Sequence, residues 1–495
     1  MMNFKSQTEG GFFMPKSEQN KERTISCSLR ENMQYLEKKL GLDTNFDIIH
    51  RVIKIADTDA CMYLIDGFCK DELMQKLLQY LMDLSPEDFP EDAHEMSKLA
   101  IPYVEVDLTD RWDNAVEALL SGVFVLVVDG YEKAVLIDSR TYPARSVEEP
   151  EKDKVLRGSK DGFVETVVFN TALIRRRIRS TDLRMEILNA GENSKTDIVL
   201  CYMDSRVDKD LLSKIRDRIR DIHVDALTMN QESLAECLYQ RKWYNPFPKF
   251  KYTERPDTAA AQVLEGNLVI LVDNSPSAMI LPTTIFDVVE EADDYYFPPV
   301  TGTYLRLTRF LIAILTYFVT PTYLLLMNHR EWVPESLAFI VLKEEPYVPL
   351  LLQFLLLELA IDGLRLAAVN TPNMLSTPLS VMAALVLGEF SVESGWFAGE
   401  VMLYMAFVAI ANYTQANYEL GYALKFMRIL NLILTQLFGI WGYLAGVAIL
   451  VISLLTNKTI SGQSYLYPLI PFDGEKMKNR LIRRRMPGAV PKERM

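Results

Sequence analysis

The sequence predicts an α/β soluble region of two subdomains, followed by an α-helical multi-span transmembrane domain. At 495 residues the chain exceeds the roughly 250 to 300 residues at which a single core stops growing. Charged residues are dense before about residue 300, and long apolar runs dominate after it. A mean hydropathy of +0.04 averages these two parts and conceals the division between them.

The first part begins with a polar segment and continues as a predicted subdomain. Residues 1–29 lack apolar periodicity, so we expect a mobile leader without a cleavable signal peptide. Subdomain 1 is predicted over residues 30–155. Its expected elements are a helix at 28–40, a strand end and helix within 62–84, a short strand at 104–106, a helix at 112–120, and a hairpin formed by VFVLVVD (123–129) and AVLID (134–138).

Subdomain 2, predicted over residues 156–300, repeats the same local order. A helix ending in QVLEG (262–266) leads into NLVILVD (267–273) and AMILPT (278–283). This recurrence indicates an internal duplication, although helix-to-hairpin passages are common enough for chance to explain one match. Further helices are expected at 166–189 and 208–240, on either side of the strand DIVLCYM (197–203).

The transmembrane domain is predicted over residues 301–472. About 20 apolar residues are needed to cross the bilayer core as a helix, and Leu307–Met327 and Asn431–Leu455 meet this requirement. The segments 346–369 and 378–412 are long enough, but the first carries three charges and the second is interrupted. We therefore expect about four spans, one of them broken, or six if the interruptions are re-entrant.

Basic residues at both ends of this domain predict its orientation. Arg306 and Arg309 precede the first span. The tail at 473–495 has eight basic and three acidic residues, a net charge of +5. Because the whole chain has a net charge of −13, the rest of it carries −18. Because basic flanks favour the cytosolic side, both termini are expected there. An acidic body also argues against nucleic acid as a partner.

The three charges in the segment 346–369 share one helical face. Glu358, Asp362 and Arg365 are spaced i, i+4 and i+7. Charges in a membrane avoid lipid, so this polar stripe is predicted to face a water-filled path or a seam between subunits. The alternative is an interhelical ion-pair network that only fixes packing.

Three glutamates mark the interrupted segment. Glu389, Glu393 and Glu400 would share a face if the segment were helical. In a cyclic oligomer each position becomes a ring of carboxylates, which attracts cations and forms a filter or vestibule. Alternatively, Glu393 and Glu400 are simply solvated at the headgroup boundary.

Two groups of charges in the soluble part are candidate coupling or interface residues. Arg255 and Asp257 flank Pro256 and are expected in an extended segment, either as a rigid strut towards the membrane or as a local turn held by its own ion pair. The second group is Arg175, Arg176 and Arg177. It could grip an acidic neighbour or phosphate lipids, or form a solvated helix face with intersubunit salt bridges.

Several classes of function have no support in the sequence. The four histidines are isolated and lack metal-ligand spacing, and phosphate-binding glycine motifs are absent. The five cysteines form no CxxC pair and are interpreted as reduced, buried thiols. We therefore predict neither an enzyme nor a protein with a metal or cofactor.

Long phrases in a fixed order resemble the spore germinant-receptor A-subunit (GerA) family from about residue 45 to 472. The most specific are EEPEKDKVLRGSKDGFVET (148–166), NTALIRRRIR (170–179), NPFPKFKYTERPDTAAAQVLEGNLVILVD (245–273) and ALVLGEFSVESG (384–395). The chain departs from the expected family pattern at Lys160, Asp161 and Glu393. Two further phrases, VDNSPSAMILPT (272–283) and DDYYFPPVTGTYLRLTRF (293–310), are similar to one branch of the family.

The resemblance implies a protein of the spore inner membrane whose soluble region faces the core. It further implies a ring, expected to be a pentamer, around a cation-conducting pore that releases ions during germination. For the branch, it implies amplification of a signal begun by nutrient receptors, together with a small membrane partner. The alternatives are a nutrient-sensing germinant-receptor A subunit, a non-conducting scaffold that clusters receptors, and a secondary transporter.

Overall fold

In this computed structural model the described residues are 23–69, 71–141, 158–240, 244–343, 347–371, 384, 388–415 and 417–483. They divide into two compact units. One draws on Met1–Ala144, Thr166–Ile187 and Val199–Ser205, and the other on Arg145–Glu165, Leu188–Ile198 and Arg206–Met495. The expected leader up to residue 22 and the basic tail from residue 484 lie outside the described residues.

The first sheet contains five strands in the order β1-β2-β4-β5-β3. The strands are β1 Ile48–Ile55, β2 Thr58–Ile65, β3 Val106–Thr109, β4 Phe124–Val128 and β5 Ala134–Ile137, and the helices among them are α1 Leu29–Leu40, α2 Asp71–Met82, α3 Ala93–Glu95 and α4 Trp112–Leu120. Alternate residues of β4 enter two separate cores: Val125 packs with α1 and α4, and Leu126 packs with α2. Burial of both faces explains why this strand is an unbroken apolar run.

The second sheet has the equivalent order β6-β7-β9-β10-β8. Its strands are β6 Leu183–Ala190, β7 Thr196–Met203, β8 Lys251–Thr253, β9 Leu268–Val272 and β10 Ala278–Leu281, and the helices are α5 Val167–Arg177, α6 Lys209–Arg220, α7 Gln231–Leu238 and α8 Pro256–Glu265. The two sheets match strand for strand, so that β6 occupies the position of β1, β7 that of β2, and likewise to the end of each order. The predicted α/β region with two helix-to-hairpin units is therefore present.

Three local predictions differ from the structure. The segment 166–189 is not one helix, because α5 ends at Arg177 and β6 begins at Leu183. The alternation of apolar and polar residues in LRMEI (183–187) is typical of a strand. The segment 208–240 contains two helices, since residues 221–230 are not helical. Residues 23–28 of the predicted leader pack on the first unit, where Ile25 is buried and its amide donates to Asp110 O at 2.8 Å.

The C-terminal part is helical. Short helices α9 Ile285–Val289 and α10 Asp293–Tyr296 lead into α11 Pro299–Asn328, which is followed by α12 Leu350–Asn370, α13 Phe390–Glu393, α14 Gly399–Tyr413, α15 Tyr418–Thr456 and α16 Gly474–Leu481. Among the described residues, α11 and α15 are long and apolar enough to cross a membrane. The predicted span at 346–369 corresponds to the charged helix α12, and that at 378–412 is described only in part.

One glycine interrupts the longest helix. Gly439 in α15 has φ 57° and ψ −133°, a conformation that residues with a Cβ rarely adopt. The apolar run Asn431–Leu455, predicted as a single span, is therefore bent near its middle. Pro321 lies inside α11, so both long apolar helices carry a residue that weakens helical continuity.

Candidate functional site

The segment just before α11 buries three carboxylates within its own unit. Asp287, Glu290 and Asp294 are each less than a tenth exposed. Asp287 is held in a capping box with Thr284 at the start of α9, a local signal that fixes the helix start. Buried carboxylates require cationic or hydrogen-bonding partners, and three arginines supply them.

Arg306 and Arg309 extend from one face of α11 towards these carboxylates, as their i, i+3 spacing requires. Arg306 Nη2 lies 2.7 Å from Glu290 Oε1, and Arg309 Nη2 lies 2.6 Å from Asp294 Oδ1. Arg480 of α16 lies 2.7 Å from Asp287 Oδ1 and 2.9 Å from Glu290 Oε2. We call these residues the junction cluster: Asp287, Glu290, Asp294, Arg306, Arg309 and Arg480.

The junction cluster has electrostatic consequences outside α11. Burial opposes ionisation of Glu290, yet Lys251, Arg480 and Arg306 together hold its pKa below the usual value. Burial and the adjacent Glu290 raise the pKa of Tyr295, whose hydroxyl donates a hydrogen bond to that carboxylate. Glu290 is therefore ionised at neutral pH, and the cluster joins α16 to the segment from α9 to α11.

The structure alters the basis of the orientation argument. Arg306 and Arg309 are predicted as a basic flank of the first span, but both are buried and paired with carboxylates. Their charge is neutralised inside the protein. Of the two predicted basic flanks, only the C-terminal one could contribute net positive charge.

Arg255 and Asp257 form a second buried site. Arg255 Nη2 lies 2.7 Å from Asp257 Oδ2 and donates to Ser159 O at 2.8 Å, while the Tyr296 hydroxyl donates to Asp257. Arg255 has extended backbone, as predicted, but Asp257 lies in the first turn of α8 with Pro256 at its start. Proline is favoured at that position, so the expectation that both residues lie in an extended segment is wrong for Asp257.

The predicted polar stripe lies on α12, where Glu358 and Asp362 meet cations of α15. Arg428 Nη2 lies 2.5 Å from Glu358 Oε1, and Lys425 Nζ lies 3.5 Å from Glu358 Oε2 and also pairs with Asp362. Arg428 also donates to Thr316 O of α11 at 3.0 Å. We call Glu358, Asp362, Lys425 and Arg428 the helix cluster; its contacts are those of an interhelical ion-pair network.

Arg365, the third residue of the stripe, has different neighbours. Its guanidinium lies 5.1 Å from the ring centre of Tyr413, 6.0 Å from Tyr418 and 5.3 Å from Tyr422. A guanidinium within about 6 Å of an aromatic ring centre is attracted to the face of the ring. The polar stripe thus faces two chemically different environments: cations of α15 at Glu358 and Asp362, and aromatic rings at Arg365.

The three predicted pore glutamates lie on two separate helical pieces. Glu389 and Glu393 are exposed and lie on one turn that includes α13. Gly395 has φ +75° and ends this helical piece, and Glu400 is in the first turn of α14. Because the segment is not one helix, the spacing alone does not place Glu400 on the same face as the other two.

The arginine run in α5 divides by burial. Arg175 is fully buried, and its Nε lies 2.7 Å from Asp47 Oδ2 in the same unit. Arg176 is exposed, and Arg177 donates to Leu173 O at 3.0 Å. Of the two alternatives, the solvated helix face is therefore wrong for Arg175, which pairs with an acidic residue of its own unit.

Sequence reasoning overlooked several residues of these sites. Lys425 and Arg428, at i and i+3, precede the uncharged run of α15 and complement the two acids of α12. Matching opposite charges between two apolar segments could have revealed them. Arg480 had no such signal, because it belongs to a generally basic tail.

Among the cysteines, Cys61 and Cys201 are buried, but Cys27 and Cys237 are exposed, so the expectation of uniformly buried thiols is wrong.

Comparison with known proteins gives a consistent relationship over nearly the whole chain. A sequence profile of the family described as "Bacillus/Clostridium GerA spore germination protein" matches residues 34–494. Stage V sporulation protein AF of Bacillus subtilis (strain 168) is 37% identical over 477 residues, covering 96% of each chain. Spore germination protein KA of the same organism is 26% identical, covering 94% of this chain and 86% of that protein.

A membrane protein and a solved structure are also similar. The uncharacterized membrane protein YfkQ of Bacillus subtilis (strain 168) is 30% identical, covering 94% of this chain and 91% of that protein. The crystal structure of the N-terminal domain of the A subunit of the Bacillus megaterium spore germinant receptor GerK3 is 26% identical. It matches with a TM-score of 0.40, covering 53% of this chain and 97% of that one.

Proposed function

Because this chain belongs to the GerA family of spore germination proteins, we propose that it is an oligomeric membrane cation channel, or a component of one, that amplifies ion release during germination. The proposal places it in the spore inner membrane with both termini on the core side. Its proposed partners are further copies of itself, a small membrane protein and germinant receptors.

The observation that carries the proposal is the exposure of Glu389 and Glu393 between apolar helices. Both side chains are exposed in the isolated chain, beside the exposed apolar residues Phe390 and Val392. Carboxylates in a membrane domain avoid lipid and face water or another protein surface. A ring of subunits would provide both, and repeated carboxylates would favour cations over anions.

Helix dimensions support several crossings. At 1.5 Å per residue, α11 and α12 are about 45 and 32 Å long, and both exceed the roughly 30 Å of bilayer hydrocarbon. The charges of α12 face α15 through the helix cluster. Its acidic residues are thus compatible with a span whose polar side is covered by protein. Helix α14 has 15 residues and needs the preceding segment to complete a crossing.

Reconstitution of the full chain in liposomes tests the proposal. We expect passive K⁺ flux that exceeds Cl⁻ flux, and the double variant Glu389→Gln/Glu393→Gln should lower the K⁺ to Cl⁻ ratio severalfold. Glu335→Gln is the matched control, because Glu335 is also exposed and lies outside the glutamate segment. Absence of flux with and without the small membrane partner would contradict the channel, and saturable coupled uptake would indicate a transporter.

A nutrient-sensing receptor A subunit is the second candidate. It is favoured by similarity to spore germination proteins KA and GerLA, the latter 26% identical over 95% of this chain. Spores lacking this protein distinguish the two. Slower germination with every nutrient indicates an amplifier, whereas loss of the response to one nutrient class indicates a receptor. Oligomers that form without conductance would instead support the scaffold.

A further inference from the structure

The interruption of α15 is a reversal of its direction. A Cβ atom added to Gly442 would overlap the backbone oxygen of Leu434, and one added to Gly446 would overlap the side chain of Asn431. Along a continuous helix these two pairs of residues would be separated by about 12 and 22 Å. Both pairs can approach each other only if the second half of α15 folds back along the first half.

A close-packing motif joins the two halves, which we call the first arm (418–438) and the second arm (440–456). Gly442 and Gly446 are about one turn apart in GYLAG (442–446), and both are buried against the first arm. Small residues at this spacing allow two helices in a membrane to pack closely. In this chain the motif is used within a helical hairpin of a single subunit.

Helix α11 shows how the hairpin is oriented. His329 directly follows α11, and its Nε2 atom would lie 3.6 Å from a Cβ atom added to Gly439. At the other end, Leu420 of the first arm and Leu454 of the second arm belong to the same apolar cluster as Val288 of α9. The turn of the hairpin therefore lies at the end of α11. Both ends of the hairpin lie towards the start of α11, where the junction cluster is.

The dimensions and charges of both arms are compatible with a bilayer crossing. At 1.5 Å per residue the arms are about 32 and 26 Å long, and roughly 17 to 25 residues are sufficient for a transmembrane helix. The second arm carries no charge. In the first arm, Glu419 lies at the start, and Lys425 and Arg428 are paired with acidic residues of α12. The charges near the middle of the first arm are thus covered by protein.

We propose that α15 crosses the bilayer twice, first away from the side of the junction cluster and then back to it, with the packed glycines holding the two crossings together. The turn then lies at the opposite interface. Its side chains suit that position, because Leu437, Phe438 and Trp441 are each more than half exposed and tryptophan is favoured at membrane interfaces. This inference rests on the membrane location in the proposed function, but it does not depend on conduction.

The distance between the two ends of α15 tests the reversal. Spin labels are attached to Tyr418→Cys/Thr456→Cys in the full chain without its five native cysteines. The labelled chain is diluted with unlabelled chain in lipid nanodiscs, and the distance is measured by pulsed electron spin resonance. A continuous helix would separate the two positions by about 57 Å, whereas the hairpin should bring them within about 25 Å, since packed helices lie about 8 to 10 Å apart. Tyr418→Cys/Phe438→Cys is the control pair and should give about 30 Å in either case.

Labelling from each side of sealed liposomes tests the two crossings. Single cysteines at positions 418, 438 and 456 are exposed to a maleimide that does not cross the bilayer. A variant that retains only Cys237, an exposed residue of α7, marks the side of the second sheet. We expect positions 418 and 456 to react from the same side as Cys237, and position 438 to react from the other side.

A glycine variant tests what holds the arms together. Gly446→Val adds atoms where the first arm is in contact and should lower the midpoint of thermal unfolding by several degrees, with a longer or broader distance between positions 418 and 456. Ala445→Val is the matched control, because Ala445 is the preceding residue and is exposed. If Gly446→Val fails to fold, Gly446→Ala provides the same comparison with a smaller addition.

Three results would overturn the inference: a distance near 57 Å, labelling of position 438 from the side of Cys237, or equal effects at positions 445 and 446. The second result with a short distance would indicate a hairpin that enters the bilayer without crossing it. None of these measurements involves ion flux. Failure of the double crossing and failure of the proposed channel are therefore distinguishable.

Discussion

Within the junction cluster, and likewise within the helix cluster, acidic and basic residues are equal in number. The two clusters differ in the parts of the chain that they join. The junction cluster joins α9, α10, α11 and α16, and Arg480 on its edge is 28% exposed. The helix cluster joins α12 and α15, and its central pair, Arg428 and Glu358, is at most 4% exposed. Each cluster thus has a buried centre and one partly exposed member, Arg480 in the first and Asp362, which is 31% exposed, in the second. The first holds α16 against the segment from α9 to α11, and the second fixes two long helices against each other.

The difference bears on mechanism. Ion pairs that water and salt can reach exchange partners at modest cost, whereas breaking a sealed pair leaves an uncompensated charge. Because Arg480 is the partly exposed member of the junction cluster, we expect rearrangements between the sheet-bearing part of the second unit and its helices to begin at its ion pairs. The helix cluster should move as one body.

The largest effect is expected from breaking the sealed pair. Arg428→Met leaves Glu358 buried and should lower the free energy of unfolding by about 3–5 kcal/mol, whereas Arg428→Met/Glu358→Leu should lose clearly less than the two single changes together. Denaturation of the full chain in nanodiscs measures this, with exposed Arg330→Met as control. Additive losses would show that the two residues do not act as a pair.

A smaller loss is expected at the centre of the junction cluster. Asp294→Asn removes the carboxylate shared by Arg306 and Arg309 and should cost about 3 kcal/mol. The control is Asp83→Asn at an exposed position. If Asp294→Asn destabilises the protein no more than its control does, the junction cluster does not hold these segments together.

The third effect in order of size is a difference in salt dependence between the stability losses caused by Arg480→Gln and by Arg428→Met. Arg480→Gln should cost about 1 kcal/mol at low ionic strength and less at 1 M NaCl, because its partly exposed charge is screened. Lys478→Gln, on the exposed side of the same helix, should have no effect. The loss caused by Arg428→Met should change little with salt. Equal salt sensitivity of both losses would remove the distinction between the partly exposed pairs of Arg480 and the buried pair of Arg428 and Glu358.

The smallest expected effect is the pH dependence of Glu290. Its pKa is lowered in the folded state, so the folded state binds fewer protons than the unfolded one. Its contribution to stability is present above the unfolded pKa of about 4.3 and is lost as pH falls through the folded pKa. Glu290→Gln should therefore flatten the acid limb of the unfolding curve. An unchanged acid limb would contradict this assignment.

Much of the α/β region could be predicted from periodicity. Helix α4 was predicted with its observed bounds, and β4, β5, β9 and β10 to within one or two residues, because buried strands between turn residues give a strong local signal. β1 and β8 were not predicted, and β6 was predicted as part of a helix. β1 is half exposed, and β8 is only three residues long, so neither is a continuous apolar run.

The candidate sites were less predictable, since they depend on pairing across long separations. Glu358 and Asp362 were correctly placed on one face of a helix, but nothing in their own segment identifies Arg428 as a partner 70 residues away. Arg175 was grouped with its neighbours, although only its side chain enters the core to meet Asp47. Local patterns give the face on which a charge lies; they do not give what covers that face.

The sequence by itself determined the family, the two-part organisation, and the apolar helices long enough to cross a bilayer, because these follow from composition, order and periodicity. The tertiary structure alone decided which charges are buried and with which partners. A charge can be buried only where a compensating group is brought within a few ångströms. In this chain α12 meets α15, and α16 meets the segment from α9 to α11; within each pair the two parts are far apart along the chain.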